Sequence, residues 1–136
     1  MFNINKLVAP FWGTIIEKLH IDMENHTIRL LIRSDNEDVK TFTDIILEEV
    51  VAFCWINESF YQDKGRLDIE KWNFMQLESI GYEDNTRVIV EGGEWESSFS
   101  ASPNIVLEIW NSILLIEAKK MIINGETYEL MKKNIF

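Results

Sequence analysis

Two histidines, His20 and His26, and one cysteine, Cys54, are all that the 136 residues offer as nitrogen or sulfur metal ligands. A zinc or copper site needs three or four groups converging at a motif spacing. His20 and His26 flank a turn and can approach across a hairpin, but no third ligand stands at a matching interval, so both read as surface polar residues. Covalent catalysis needs a Ser or Cys beside a base and an oxyanion site. No Gly-x-Ser-x-Gly elbow occurs, and Ser97, Ser98, Ser100 and Ser102 fall in a small, polar stretch that reads as a loop. Gly92-Gly93 lacks the lysine and helix that follow a phosphate-binding loop. Carboxylate neighbours such as Asp22 and Glu24, Glu48 and Glu49, or Glu94 and Glu96 are expected by chance among 23 acids. An acid–base pair requires one of the two to be desolvated, and nothing here localises one. The chain is therefore expected to be no enzyme and to carry no metal or cofactor.

Charge is the stronger signal. Thirteen Lys and Arg against 23 Asp and Glu give a net charge of −10, which repels phosphate backbones and anionic lipid alike. Nucleic acid and membrane are not expected as partners; a basic protein partner would be steered in by the field. Two acidic segments are the candidate partner-binding residues: Asp35, Glu37 and Asp38, in the polar loop Ser34 to Asp38, and Glu94, Trp95 and Glu96, just after Gly92-Gly93. Trp95 stands in an acidic rim, the setting of an aromatic anchor. Trp55, Trp72 and Trp110 sit within apolar strand patterns and are expected in the core or on a sheet face.

The elements that would position these residues are strands. Thr14 to Met23 alternates, with Ile15, Leu19, Ile21 and Met23 on one side and Lys18, His20 and Asp22 on the other. Glu24-Asn25-His26 supplies a turn, and Thr27 to Arg33 resumes with Ile28, Leu30 and Ile32 inward, completing a hairpin. Val39 to Thr43 places β-branched residues at every second position. Asp44 to Ile56 carries both signals: Ile45, Ile46, Glu48 and Glu49 suit a helix reaching Ala52, while Val50 to Ile56 is β-branched or aromatic and is read as a strand. Asn57 to Glu70 is polar, with an exposed loop at Tyr61 to Gly65. Trp72 to Tyr82 and Arg87 to Glu91 are further strands, and Asn104 to Asn111 and Ser112 to Ile123 are apolar runs. Asn124-Gly125, between two β-prone segments, is the strongest hairpin signal in the chain. The only good helix candidate is Ile4 to Trp12, ended or interrupted by Pro10 and Gly13.

Composition agrees. An apolar fraction of 46% with 6 Gly and 2 Pro marks a packed globule, and 136 residues suit a single domain with one core. Cys54 has no partner for an internal disulfide and reads as a buried thiol in a reducing compartment. No basic head followed by an apolar stretch opens the chain, and no apolar run approaches the roughly 20 residues that cross a bilayer, so a cytoplasmic location is expected. The fold class is mainly β, a curved antiparallel sheet of six to nine strands or a two-layer β-sandwich or partial barrel, with a short N-terminal helix.

The run Leu19-His20-Ile21-Asp22-Met23-Glu24-Asn25-His26-Thr27-Ile28-Arg29-Leu30, then Trp72 to Tyr82, Asn104-Ile105-Val106-Leu107-Glu108-Ile109-Trp110 and Ile116-Glu117-Ala118-Lys119-Lys120, resembles small bacterial YxiG-like proteins over most of the chain. The resemblance implies a protein of the toxin-immunity type, which binds and neutralises a cognate bacterial toxin and has no catalytic residues to carry over. A basic nuclease cleft occluded by an acidic β-domain would fit that role. The alternative is a small-ligand-binding β-barrel. A roomy interior lined by Trp and a few polar groups favours the ligand; a compact core with an acidic rim favours the protein partner.

Overall fold

The expected strands form, and a computed structural model shows how they join; it describes residues 3–36, 38–57, 75–92, 99–110 and 112–130. Asn3 caps the helix α1 (Ile4–Val8) by accepting from the Lys6 N–H, and Pro10 sits in a 3₁₀ turn, Ala9–Phe11, that ends the segment. The strands are β1 (Thr14–Asp22), β2 (Thr27–Asn36), β3 (Val39–Glu48), β4 (Ala52–Asn57), β5 (Met75–Tyr82), β6 (Val88–Val90), β7 (Phe99–Ala101), β8 (Ile105–Ile109), β9 (Ser112–Glu117), β10 (Lys120–Ile123) and β11 (Glu126–Glu129). Nine make one antiparallel sheet in the order β11-β10-β3-β2-β1-β5-β8-β9-β4, and β6 and β7 pair separately. The molecule is mainly β, and the sheet is not closed into a barrel.

Eleven strands among the described residues exceed the six to nine expected, because two long runs are each broken at a corner. The Ser112 to Ile123 run is β9 and β10, interrupted at Ala118 and Lys119; opposite it, β3 and β4 are interrupted at Glu49 to Val51. These breaks face each other. Ala52 pairs with Glu117 and Asn57 with Ser112 on one side of the corner, and Glu48 with Lys120 and Ile45 with Ile123 on the other. The four strands are thus one bent antiparallel ribbon, with three residues crossing the bend on one chain and two on the other. The helical alternative for Asp44 to Ala52 is not adopted: Asp44 to Glu48 is β-strand, paired on both sides.

A bend leaves backbone groups without ladder partners, and buried ones must find others. Ala118 is fully buried at the corner. The buried Asn104 side chain donates from Nδ2 to the Ala118 carbonyl at 2.7 Å, and its Oδ1 accepts from the Ala118 N–H at 3.0 Å, as a neighbouring strand would. The Asn104 backbone meanwhile bonds Ile116 and Glu83. Val51 N–H donates to Glu117 O at 2.9 Å and Val50 N–H to His26 O at 2.9 Å, tying the bend to the β1–β2 turn. Asn5 does for the helix what Asn104 does for the bend. Its Oδ1 accepts from the Tyr82 N–H at 2.7 Å and its Nδ2 donates to the Tyr82 carbonyl, clamping α1 onto β5.

The core is one cluster on the inner face of the curved sheet. Ile28, Leu30 and Ile32 face in as expected, together with Ile45, Leu47, Leu77, Ile80, Leu107, Leu114, Ile116 and Met121, and α1 adds Ile4 and Val8. On β1 the expectation fails in part: Ile16, not Ile15, is buried, and Met23 is 73% exposed beyond the strand end. The cause is a bulge. Glu17 is the extra residue between the pairs Ile16–Ile32 and Lys18–Leu31, and it flips the alternation. Glu78 does the same on β5. Trp110, expected in a strand, occupies the tight turn between β8 and β9 at φ +54°, and the strand around Cys54 begins at Ala52, not Val50. Asn124 and Gly125, at φ +47° and +87°, make the expected hairpin turn.

Asn104→Ala leaves two buried backbone groups unpaired and is expected to lower the unfolding free energy by about 3 kcal/mol, read as a reduced urea midpoint at constant slope. Gly125→Ala meets no neighbour within 4 Å. It is nevertheless expected to cost roughly 1 kcal/mol, because Ala must adopt the left-handed conformation.

Candidate functional site

The acids expected to bind a partner are placed unevenly. Ser34 to Asn36 is strand rather than loop: Ser34 pairs with Thr41, Asp35 with Lys40 and Asn36 with Val39, so the acidic connection shrinks to two residues, with Asp38 at φ +70°. The opposed charges of Asp35 and Lys40 favour this extension. Asp35 also accepts from Arg33 Nε at 2.9 Å, while Arg33 Nη1 reaches the bulged Glu17. Asp35 and Asp38 therefore stand at the tip of a projecting hairpin, and Asp35 is partly neutralised. Glu37, Glu94, Trp95 and Glu96 lie outside the described residues, as do Ser97, Ser98 and Trp72.

The other residues considered for chemistry are spread out. His20 is exposed on β1 opposite Arg29, and His26 holds φ +55° in the β1–β2 turn. Among the described residues no group of three His, Cys, Asp or Glu converges. Ser102 donates its backbone N–H to Glu117 at 2.6 Å. Cys54 is half-buried, not in the core, because β4 is the last strand of the sheet. No helix among the described residues is long and apolar enough to cross a membrane.

A different surface is concave and apolar. Beside the bend, Met23, Val51 and Phe53 with Ile21 and His26 line a hollow of about 240 Å³. It adjoins a second hollow of about 320 Å³, where Phe53 and Cys54 of β4 face Val88 and Val90 of β6 and Phe99 and Ala101 of β7. Val51, Ala52 and Phe53 belong to both, so the two form one trough along the start of β4. A third hollow continues it past His26 to Glu49 and Lys119. Val51 is 61% exposed and Phe99 62%, and Trp55 on the same strand 44%. Trp12, Val39 and Phe42 are also exposed, but they line none of these hollows. Apolar side chains exposed together mark an interaction surface; scattered ones do not.

Sequence reasoning missed these residues. Ala52-Phe53-Cys54-Trp55-Ile56 is apolar at every position and reads as a strand buried on both faces, and Phe99 sits in a segment that otherwise reads as small and polar. The polar end of the trough is set by Asp22. Its carboxyl is held below the ordinary carboxylate range chiefly by the Asn25 side-chain amide, then by the backbone N–H groups of Asn25 and Glu24, with His20 adding a charge term. A lowered pKa means that this contribution is complete above about pH 4, where the unfolded carboxyl is ionised, and fades as pH falls through the folded value. Asp22→Ala is accordingly expected to destabilise the protein at pH 7, and the gap in urea midpoints between variant and parent should close below about pH 4.

No curated protein and no solved structure is significantly similar to this chain. The family model described as YxiG-like protein matches residues 4–128, from the first residue of α1 to within β11. The sheet, its bent ribbon and the apolar trough all fall within that match, and the chain belongs to the YxiG-like protein family.

Proposed function

We propose that this protein is a non-catalytic binding protein that docks a basic protein partner on the trough, and that its specific role is that of an immunity protein neutralising a bacterial toxin in the cytoplasm. The observation that carries the reading is the contiguous set of exposed apolar side chains, Val51, Phe53, Val90 and Phe99, on a molecule with a net charge of −10. Leaving such side chains in water forgoes roughly 25 cal/mol for every Å² that a partner would cover. The charge supports a basic partner, since long-range attraction speeds association while the apolar contact sets the lifetime. Asp35 and Asp38 at the hairpin tip contribute to the former and Phe99 and Val51 to the latter.

A small-ligand barrel is less well supported. That role needs a roomy interior, whereas the inner face here is filled by Ile, Leu, Val and Met, and the hollows lie outside it and are open. Among the described residues no buried side-chain polar atom lacks a partner, so none is aimed at a missing ligand.

The test is co-expression with the C-terminal domain of a secreted protein encoded beside this gene. Protection of growth and a purified complex are expected; a toxic domain that is neither bound nor neutralised overturns the reading. Within such a complex, Val51→Asp and Phe99→Asp are each expected to raise the dissociation rate by a factor of about 30, the equivalent of a 2 kcal/mol hot spot. Asp35→Ser with Asp38→Ser is expected to slow association, most strongly at low salt, in stopped-flow traces.

A further inference from the structure

The two edges of the sheet are built differently. At one end β11, Glu126-Thr127-Tyr128-Glu129, is four residues long and carries a glutamate at each end, the kind of short, charged strand that discourages further pairing. At the other end β4, Ala52-Phe53-Cys54-Trp55-Ile56-Asn57, has β9 as its one strand neighbour among the described residues. It has no charge, no proline and, from Ala52 to Asn57, no bulge, so none of the usual protections of an edge is present. Phe53, Trp55 and Ile56 are exposed along it, and its first half forms the wall of the trough.

We propose that β4 is a strand-addition site: an extended segment of the partner pairs with its free edge, and apolar side chains of that segment fill the hollow between Phe53, Val90 and Phe99. Backbone hydrogen bonds then supply affinity irrespective of sequence, and the hollow supplies selectivity. This rests on the reading of the trough as a protein-binding surface. The occupant is a segment rich in Lys or Arg rather than a second copy of this chain. Two copies would bring together net charges of −10 each, whereas a basic segment is attracted, and Asp22 and Glu49 stand at the end of the trough where its cations would lie.

The experiment titrates the purified full-length protein with labelled eight-residue peptides and follows fluorescence anisotropy at low salt. The panel is an alternating Lys-Val peptide, its Glu-Val counterpart, and two Lys-Val versions N-methylated at the Lys or at the Val positions. Binding of Lys-Val at least tenfold tighter than Glu-Val, loss of at least tenfold affinity in one of the two methylated versions, and slowed amide exchange confined to Ala52–Asn57 and its neighbours are expected. Phe99→Ser, at an exposed position, is expected to weaken the Lys-Val peptide about tenfold while leaving the far-ultraviolet spectrum unchanged. No binding up to about 1 mM, equal binding of the acidic and basic peptides, indifference to both methylations, or protection elsewhere overturns the proposal. Concentration-dependent dimerisation that competes with the peptide overturns the choice of occupant. A toxin domain that binds on the trough while no peptide does leaves the protein-binding reading standing and removes strand addition alone; peptide binding without toxin protection removes the immunity role and leaves the edge site.

Discussion

The architecture depends on one pair of hydrogen bonds, those between the Asn104 side chain and the backbone of Ala118. A two-stranded ribbon that bends through a corner must leave peptide groups unpaired at the bend, and Ala118 is fully buried there. An amide side chain is the one neutral group that presents a donor and an acceptor at the spacing of a peptide, so Asn104 continues the ladder where no strand can. With both groups satisfied, β9 and β10 belong to different halves of the sheet while remaining one stretch of chain. Asn5 uses the same chemistry on Tyr82 to fasten the helix, and Asn124 uses it on Asp44, whose N–H donates to Asn124 Oδ1 at 2.9 Å, to seat the last hairpin on β3. Each contact is net worth only about 1 kcal/mol, but an unmade one at a buried site costs more, and that asymmetry makes them specify the fold.

The bend also creates the trough. Three residues, Glu49 to Val51, cross the corner opposite two, and Glu49 takes φ +53° to do so. The extra residue turns Val51 outward while Val50 packs into the core, and it sets Ala52 to Asn57 running beyond the first half of the sheet. The β1–β2 turn closes one side through the His26 carbonyl, and β6 and β7 stand on the other. The apolar concavity therefore follows directly from the geometry that folds the ribbon.

Charge is arranged in parallel. On the outer face Arg29 forms a two-pronged pair with Asp44, and Arg33 bridges Glu17 and Asp35, so the cations on β2 are spent on neighbouring strands. These pairs are exposed or half-exposed and contribute little to stability. Their effect is to leave the uncompensated acids to set the field, which is long-ranged compared with any one contact.

Much of this was legible in the residues. Alternation placed Ile28, Leu30 and Ile32 in the core, Asn124-Gly125 made its turn, and 46% apolar residues with scattered turn signals gave a mainly β molecule. Such features are local: period and turn chemistry act over a few residues. Bulges escaped because Glu17 and Glu78 look like ordinary outward residues until a partner strand shows which position is unpaired. The candidate site escaped for the same reason. Nothing within Ala52 to Ile56 distinguishes a central strand from an edge strand, because that depends on whether another chain segment lies alongside. The sequence by itself determined the type of structure, the sign of the field and the want of a motif for known catalytic chemistry. Only the tertiary structure decided which apolar strand stays open to solvent, because exposure is settled by strand order, and strand order is settled by contacts between residues as distant as Asn104 and Ala118 or Asn5 and Tyr82.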